Sequence, residues 1–163
     1  MKNNFLSRIY GQVLVALSLS LLLSSVLSAQ VNKEEVEYIQ AVIGMQKKVA
    51  FAEFTQLDID DPLWAIYDMY ETERMELGKT RLDLLEKYAN NYVDMGDVVT
   101  DDLIKRMQTQ KKSLDKLIDQ YYKKIKKASG SKVAAQFYQF ENYVLSAIRN
   151  EILENIPFIG ELD

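Results

Sequence analysis

The feature that most constrains the fold is a stripe of side chains that step by three and four residues along the segment after Pro62. Two arginines interrupt this otherwise apolar stripe, which consists of Leu63, Tyr67, Tyr70, Arg74, Leu77, Arg81, Leu84 and Tyr88. Side chains with this spacing share one face of an α-helix, close to the heptad seam of a coiled coil. The stripe therefore predicts one long helix, from Pro62 to about Met95, with Asp61 as its N-cap.

Three other segments show the same helical periodicity. The first runs from Asn32 to about Thr55, the next begins at a capping Thr100, and the last covers about Lys132 to Asn155. Polar breaks separate the segments at 56–61, 95–100 and 128–131. The apolar positions are Val36, Ile39, Ile43, Ala50 and Phe54 in the first segment, Leu103, Met107, Leu114, Leu117, Tyr121 and Ile125 in the next, and Val133, Phe137, Phe140, Val144 and Ile148 in the last.

These segments predict an all-α fold of three or four helices built around a long antiparallel helical hairpin. The composition agrees with this fold class, because the 163 residues include only six glycines and two prolines. The chain also contains no cysteine and no histidine. Thiol chemistry is thereby excluded, and the commonest general base and transition-metal ligand are missing. We therefore expect no enzymatic activity, no cofactor and no metal.

The N-terminal residues have the pattern of an export signal. Lys2 and Arg8 precede an apolar run from Val13 to Leu23, and small residues follow it. This pattern predicts a signal peptide over 1–29 and a single helical domain over 30–163 in the periplasm or outside the cell. The alternative is an uncleaved membrane anchor, since the run is about as long as the shortest spanning helix, although several serines dilute it and no cationic cluster follows at once.

Charge is segregated along the chain. The segment 58–102 contains thirteen acids and four bases, whereas 103–127 contains nine bases and two acids. One interpretation is attraction between the flanks of two paired helices. The other is a basic strip that attracts acidic or unfolded protein partners. Contact of the basic segment with a membrane surface is a third interpretation, and the net charge of −4 argues against nucleic acid. The candidate partner-binding bases are Lys105, Arg106, Lys112, Lys116, Lys123 and Lys124.

The aromatic residues near the start of the Pro62 helix allow two interpretations. Trp64, Tyr67 and Tyr70 are spaced by three and share one side of that helix. Such a stripe is typical of a buried core, but on a shallow bundle it would remain an exposed recognition face. Trp64, Tyr67 and Tyr70 are therefore candidate partner-binding residues as well. The nearby Glu71, Glu73 and Glu76 have the pattern of a solvated helix face, and the alternative is a pair of carboxylates that does acid–base work or shares a metal ion.

One segment resembles a known group of proteins. The run Pro62-Leu-Trp-Ala-Ile-Tyr-Asp-Met-Tyr-Glu71 and the run Val99-Thr-Asp-Asp-Leu103 before a basic helix are similar to the Spy/CpxP-like small periplasmic helical proteins. The resemblance implies an ATP-independent chaperone or an envelope-stress adaptor that dimerises into a cradle. It also implies protein partners or unfolded clients. The alternative is a structural helical-bundle or coiled-coil protein of the envelope that binds no client.

Overall fold

The computed structural model describes residues 33–58 and 60–159, and these form three α-helices with no β-strand among them. The helices are α1 (Lys33–Thr55), α2 (Leu63–Ala89) and α3 (Asp97–Asn155). The predicted all-α fold is confirmed. The predicted signal peptide lies outside the described residues. Within them, none of the helices combines the length and the apolar character needed to span a membrane.

The described residues divide into two units, the first over 33–58 and the second over 60–159. In the first unit, α1 ends at Thr55, and Gln56 follows with a left-handed φ of 53°. The Gln56 amide donates a hydrogen bond of 2.9 Å to the carbonyl of Ala52, which satisfies one of the free carbonyls at the helix end. Phe51 is fully buried, whereas Phe54 is 39% exposed. The apolar face of α1 therefore includes Phe51 rather than the predicted Phe54.

In the second unit, Asp61 fixes the start of α2. Its Oδ1 accepts hydrogen bonds from the Leu63 amide at 2.8 Å and from the Ser129 hydroxyl at 2.7 Å. The first bond is the capping interaction predicted from the sequence. The second ties the start of α2 to the middle of α3. The helix ends at Ala89 rather than near Met95, and the Asn91 side chain donates 2.7 Å to the carbonyl of Lys87.

The third helix begins earlier than the sequence predicts. It starts at Asp97, with Gly96 at the cap position, so the prediction of Thr100 as the N-cap is wrong. The amides of Val99 and Thr100 both donate to the Gly96 carbonyl, and the Thr100 hydroxyl donates to the same atom at 3.2 Å. The threonine hydroxyl is therefore used inside the first turn, where it bonds a backbone carbonyl instead of capping.

Gly130 divides α3 into a first arm (97–129) and a second arm (131–155). Its φ of 88° and ψ of 170° are incompatible with a helix and lie in a region that only glycine occupies readily. The rings of Tyr122 and Tyr138 meet across the arms with centroids 6.0 Å apart. Because these two residues are equally distant from Gly130, the arms fold back on each other. The break predicted at 128–131 is confirmed.

Both arms pack against α2. The first arm is antiparallel to α2, since Gln110 donates to the Leu77 carbonyl and Lys87 forms an ion pair with Asp102 at 2.5 Å. The second arm is parallel to α2, since Tyr67 contacts Glu141 near one end and Tyr88 donates to the Pro157 carbonyl near the other. Residues 63–155 therefore form a three-helix bundle in which the predicted hairpin is completed by the second arm.

The apolar periodicity of the sequence accounts for the core of this bundle. The buried apolar side chains of the second unit are Leu63, Tyr67, Tyr70, Leu84, Leu103, Leu114, Leu117, Ile118, Tyr121, Ile125, Ala134, Phe137, Phe140 and Val144. All three helical segments supply members of this set, so each contributes one face to a shared interior. Their opposite faces are turned away from that interior.

Candidate binding surfaces

A cluster of buried polar groups lies inside the bundle, next to the aromatic residues of α2. We call Tyr67, Tyr70, Glu71, Arg74 and Glu141 the buried polar cluster. The Tyr70 hydroxyl donates 2.7 Å to Oε2 of Glu141, and the Tyr67 hydroxyl donates 3.3 Å to Oε1. Arg74 Nε donates 3.0 Å to Oε2 of Glu71. Glu141 has no exposed surface, so its carboxylate is held entirely by groups of the protein.

The aromatic rings around this cluster pack edge to face. Phe137 lies perpendicular to Tyr67 and to Tyr70, with centroid distances of 6.2 Å and 5.0 Å. Tyr121 approaches Tyr70 at 5.4 Å. Trp64 is only half-buried and contacts Tyr67 at 6.3 Å. The structure thus places Tyr67 and Tyr70 in the core, out of reach of a partner, and leaves Trp64 at its edge.

Electrostatics in the cluster follow from this burial. Burial raises the pKa of Tyr67 and of Tyr70 well above the ordinary value, and the neighbouring Glu141 carboxylate raises both further. Burial alone would lower the pKa of Arg74, but the charges of Glu71 and Glu141 outweigh that effect and raise it. The cluster therefore holds neutral tyrosines and a charged guanidinium between two carboxylates. Arg74 compensates one of the two negative charges within the cluster.

A row of lysines follows the outer face of the first arm. Its members are spaced by seven and four residues, which places them within an arc of about 60° at 100° per residue. We call Lys105, Lys112, Lys116, Lys123 and Lys127 the lysine stripe, and all five are exposed. The buried positions of the same arm, such as Leu114 and Tyr121, point to the opposite side. The stripe therefore faces solvent along about 33 Å of helix.

The lysine stripe is not neutralised by the acidic helix beside it. Among the described residues, none of its five ammonium groups lies within ion-pair distance of a carboxylate, and Asp101, Asp102 and Asp119 are acids just outside the arc. The Lys87 hydrogen bond lowers the pKa of Asp102, and the charge of Lys105 adds to that effect. The bases of the first arm that do pair with carboxylates lie beside the stripe: Lys111 bonds Asp115 at 2.9 Å, and Arg106 approaches Asp102 at 4.0 Å. Attraction between helix flanks thus leaves the stripe itself unpaired.

The two other predicted bases have different surroundings. Arg106 is exposed and belongs to a small group with Asp102 and Lys87. Lys124 places its ammonium 3.9 Å from the centre of the Tyr121 ring, a cation–π contact. The structure therefore brings Lys105, Lys112, Lys116 and Lys123 together on one face, whereas Arg106 and Lys124 lie to one side of it. Sequence reasoning missed Lys127, which has the same periodicity.

A second surface, an apolar groove, opens at the end of the bundle far from Gly130. Its volume is about 620 Å³, and it is lined by the end of α2, the start of the first arm and the end of the second arm with the residues that follow. The main apolar lining residues are Leu84, Leu85, Leu103, Ile104, Met107, Leu114, Ile152, Leu153, Ile156 and Phe158. Arg81 and Arg149 also line it. No sequence pattern predicts this groove.

The carboxylates of α2 take part in local contacts. Glu73 accepts a hydrogen bond of 2.6 Å from the Tyr121 hydroxyl, Glu76 bonds Lys79 at 3.0 Å, and Glu71 belongs to the buried polar cluster. Glu73 and Glu76 are exposed as predicted, but Glu71 is buried. The prediction of a solvated face is therefore wrong for Glu71. Its neighbour Glu141 is closed to solvent, so the two carboxylates do not form an accessible site.

No group of three or more acidic side chains among the described residues is arranged to hold a metal ion. Comparison of the chain with protein-family models, with curated proteins and with solved structures finds no match.

Proposed function

We propose that this chain is an exported helical protein that binds acidic segments of other proteins along the lysine stripe, as an ATP-independent chaperone or an envelope-stress adaptor. The observation that supports the proposal is the set of five exposed, unpaired lysines on one face of the first arm. The resemblance to the Spy/CpxP-like group implies the same kind of activity. Relationship to that group remains a prediction.

The physical basis of the proposal is long-range attraction. Neighbouring stripe lysines lie four or seven residues apart, which is about 6 or 10 Å along the helix. The Debye length at physiological ionic strength is about 8 Å, so adjacent charges act together on an approaching carboxylate group. A flexible acidic segment can place several carboxylates along the stripe. Exposed charge pairs contribute modestly to affinity and more to the rate of association, which suits reversible capture.

Binding of a fluorescent polyglutamate peptide to residues 30–163 tests the proposal directly. We expect binding at low salt that weakens steadily as salt is added. Changing Lys112→Gln together with Lys116→Gln should weaken it about fivefold, since two exposed pairs of about 0.5 kcal/mol each are lost. The matched control changes Lys126→Gln with Lys132→Gln, which removes the same charge from exposed positions off the stripe.

A second assay measures aggregation of an acidic client protein during unfolding. The unmodified protein should suppress aggregation at low salt, and the Lys112/Lys116 variant should do so less effectively than the control variant. The proposal would be rejected if both variants bound polyglutamate equally, or if no suppression occurred at several-fold molar excess. A stable oligomer without client affinity, seen by light scattering, would favour the structural envelope protein instead.

A further inference from the structure

One part of the apolar groove lies where the first arm of α3 extends beyond the end of the second arm. Residues of the two arms that face each other are equally distant from Gly130, so Asn155 at the end of the second arm is level with residue 105. The first arm continues to Asp97, which is about 12 Å further. Pro157 prevents the second arm from extending over this overhang. Side chains of the overhang that a longer second arm would cover, such as Ile104, remain exposed.

The charges of the groove have one sign. Arg81, Arg149 and Lys111 line it, and no acidic side chain is among its described lining residues. Lys111 is paired with Asp115 outside the groove. Arg81 and Arg149 are half-buried, and neither has a carboxylate within ion-pair distance in the described part of the chain. Burial lowers the pKa of Arg81, and the like charge of Arg149 lowers it further.

Two half-buried guanidinium groups of like charge are unfavourable unless an anion lies between them. Both belong to a wall that is otherwise apolar, so the anionic group of a ligand would have an apolar part beside it. Guanidinium groups bind carboxylates in a bidentate manner, with charge-assisted hydrogen bonds. The groove therefore has the chemistry of a site for an amphipathic carboxylate. Its volume is within the range of small-molecule sites, about 300–1,000 Å³.

The walls of the apolar groove favour an acyl chain over a polypeptide as its occupant. They are helices, whose backbone N–H and C=O groups already bond within each helix. An extended peptide would find few partners for its own backbone groups there, and each unsatisfied group is costly. A peptide helix about 10 Å wide occupies about 120 Å³ per residue, so 620 Å³ would enclose only about five residues. An acyl chain has no polar group to satisfy, and the volume of about 620 Å³ has room for one.

We propose that the apolar groove binds a long-chain fatty carboxylate, with its head group between Arg81 and Arg149 and its chain against Leu84, Leu103, Met107 and Ile152. This site is separate from the lysine stripe and goes beyond the function proposed above. The two are experimentally distinguishable, because the Lys112/Lys116 variant should bind the fatty carboxylate with unchanged affinity.

Titration calorimetry of residues 30–163 with hexadecanoate below its micellar concentration tests the site. We expect one site per chain, with affinity about tenfold weaker in Arg149→Gln because a charge-assisted pair is lost. Hexadecanol has the same chain and no charge. Its affinity for the unmodified protein should be no higher than the affinity of Arg149→Gln for hexadecanoate. Arg106→Gln is the matched control, since Arg106 is exposed and does not line the groove.

A second variant guards against an effect of misfolding. Met107 is 41% exposed, so Met107→Trp should leave the fold intact while its larger ring fills the groove and abolishes hexadecanoate binding. The proposal is overturned if hexadecanol binds as tightly as hexadecanoate, or if Arg149→Gln and Met107→Trp both bind normally. It is also overturned if an acidic amphipathic peptide, added in competition, binds the groove more tightly than hexadecanoate does.

Discussion

At the scale of single residues, Glu141 is a buried carboxylate that needs hydrogen-bond donors and a compensating charge from its surroundings. It is fully buried, and its oxygens accept hydrogen bonds from Tyr67 and Tyr70, while Arg74 provides a positive charge nearby. A buried carboxylate is tolerated only where such partners replace its hydration. The segment around Trp64 therefore has a structural role through its two tyrosines, which hold the second arm to α2.

Replacing this carboxylate should destabilise the fold. We expect Glu141→Gln to lower the free energy of unfolding by about 2 kcal/mol, because an NH2 donor replaces one of the two oxygens that accept from the tyrosines and Arg74 loses a compensating charge. Urea unfolding followed by circular dichroism measures the loss. Glu86→Gln, an exposed change on α2, should stay within about 0.5 kcal/mol of the unmodified protein. Equal stability of the two variants would contradict the role assigned to Glu141.

The same tyrosines predict how stability depends on pH. Their folded-state pKa values are raised, so the unfolded chain loses these phenolic protons first as the pH rises. Their contribution is therefore complete below pH 10 and is lost above it, with a slope of up to about 1.4 kcal/mol per pH unit for each tyrosine. Urea unfolding between pH 8 and pH 11.5 measures the slope. Tyr70→Phe should make it shallower, whereas the same change at the exposed Tyr138 should not.

At the scale of elements, Gly130 decides the topology of the bundle. A Cβ added there would meet nothing within 4 Å, so the requirement for glycine is conformational rather than steric. We expect Gly130→Ala to cost about 1–3 kcal/mol, because φ of 88° with ψ of 170° is accessible essentially to glycine alone. Gly96→Ala is the matched control: its surroundings are equally open, but its φ of −65° suits any residue.

The Gly130 variant has a second measurable consequence. If the strain straightens α3 into one continuous helix, the second arm leaves its own bundle and can pack in that of another chain. Size-exclusion chromatography with light scattering would then show a concentration-dependent dimer for Gly130→Ala and none for Gly96→Ala. A monomeric variant with unchanged unfolding free energy would show that Gly130 is not the residue that reverses the chain.

The elements also show what the sequence can and cannot predict. Apolar periodicity and the breaks at Asp61 and Gly130 are local signals, so the helices and their approximate ends follow from them. The prediction of Thr100 as an N-cap was wrong because the local sequence does not distinguish a threonine at the cap from one inside the first turn. Four of the five stripe lysines were predicted from the sequence, because the side chains of one solvent-facing side of a helix recur with helical spacing. The groove was not predicted from the sequence, because it depends on which arm of α3 ends first and on the packing that places Arg81 of α2 and Arg149 of the second arm in the same wall.

At the scale of the whole molecule, the second unit contains all the parts of a stable fold. Its core residues, the buried polar cluster, the lysine stripe and the apolar groove all lie between Leu63 and Ile159. The two faces of the first arm have different roles. The bases on its outer face can be replaced without disturbing the core residues Leu114 and Tyr121 on its inner face. Binding along the stripe and stability of the bundle should therefore vary independently.

This arrangement predicts that residues 59–163 fold without the first unit. We expect the fragment to be helical and to unfold in one cooperative transition, because the three helical segments bury their apolar faces against one another. The comparison is with residues 30–163, measured by circular dichroism during urea unfolding. The fragment should also keep its salt-dependent polyglutamate affinity, since all five stripe lysines are within it. A fragment that is helical but melts gradually, without a cooperative transition, would show that the bundle needs the first unit to complete its core.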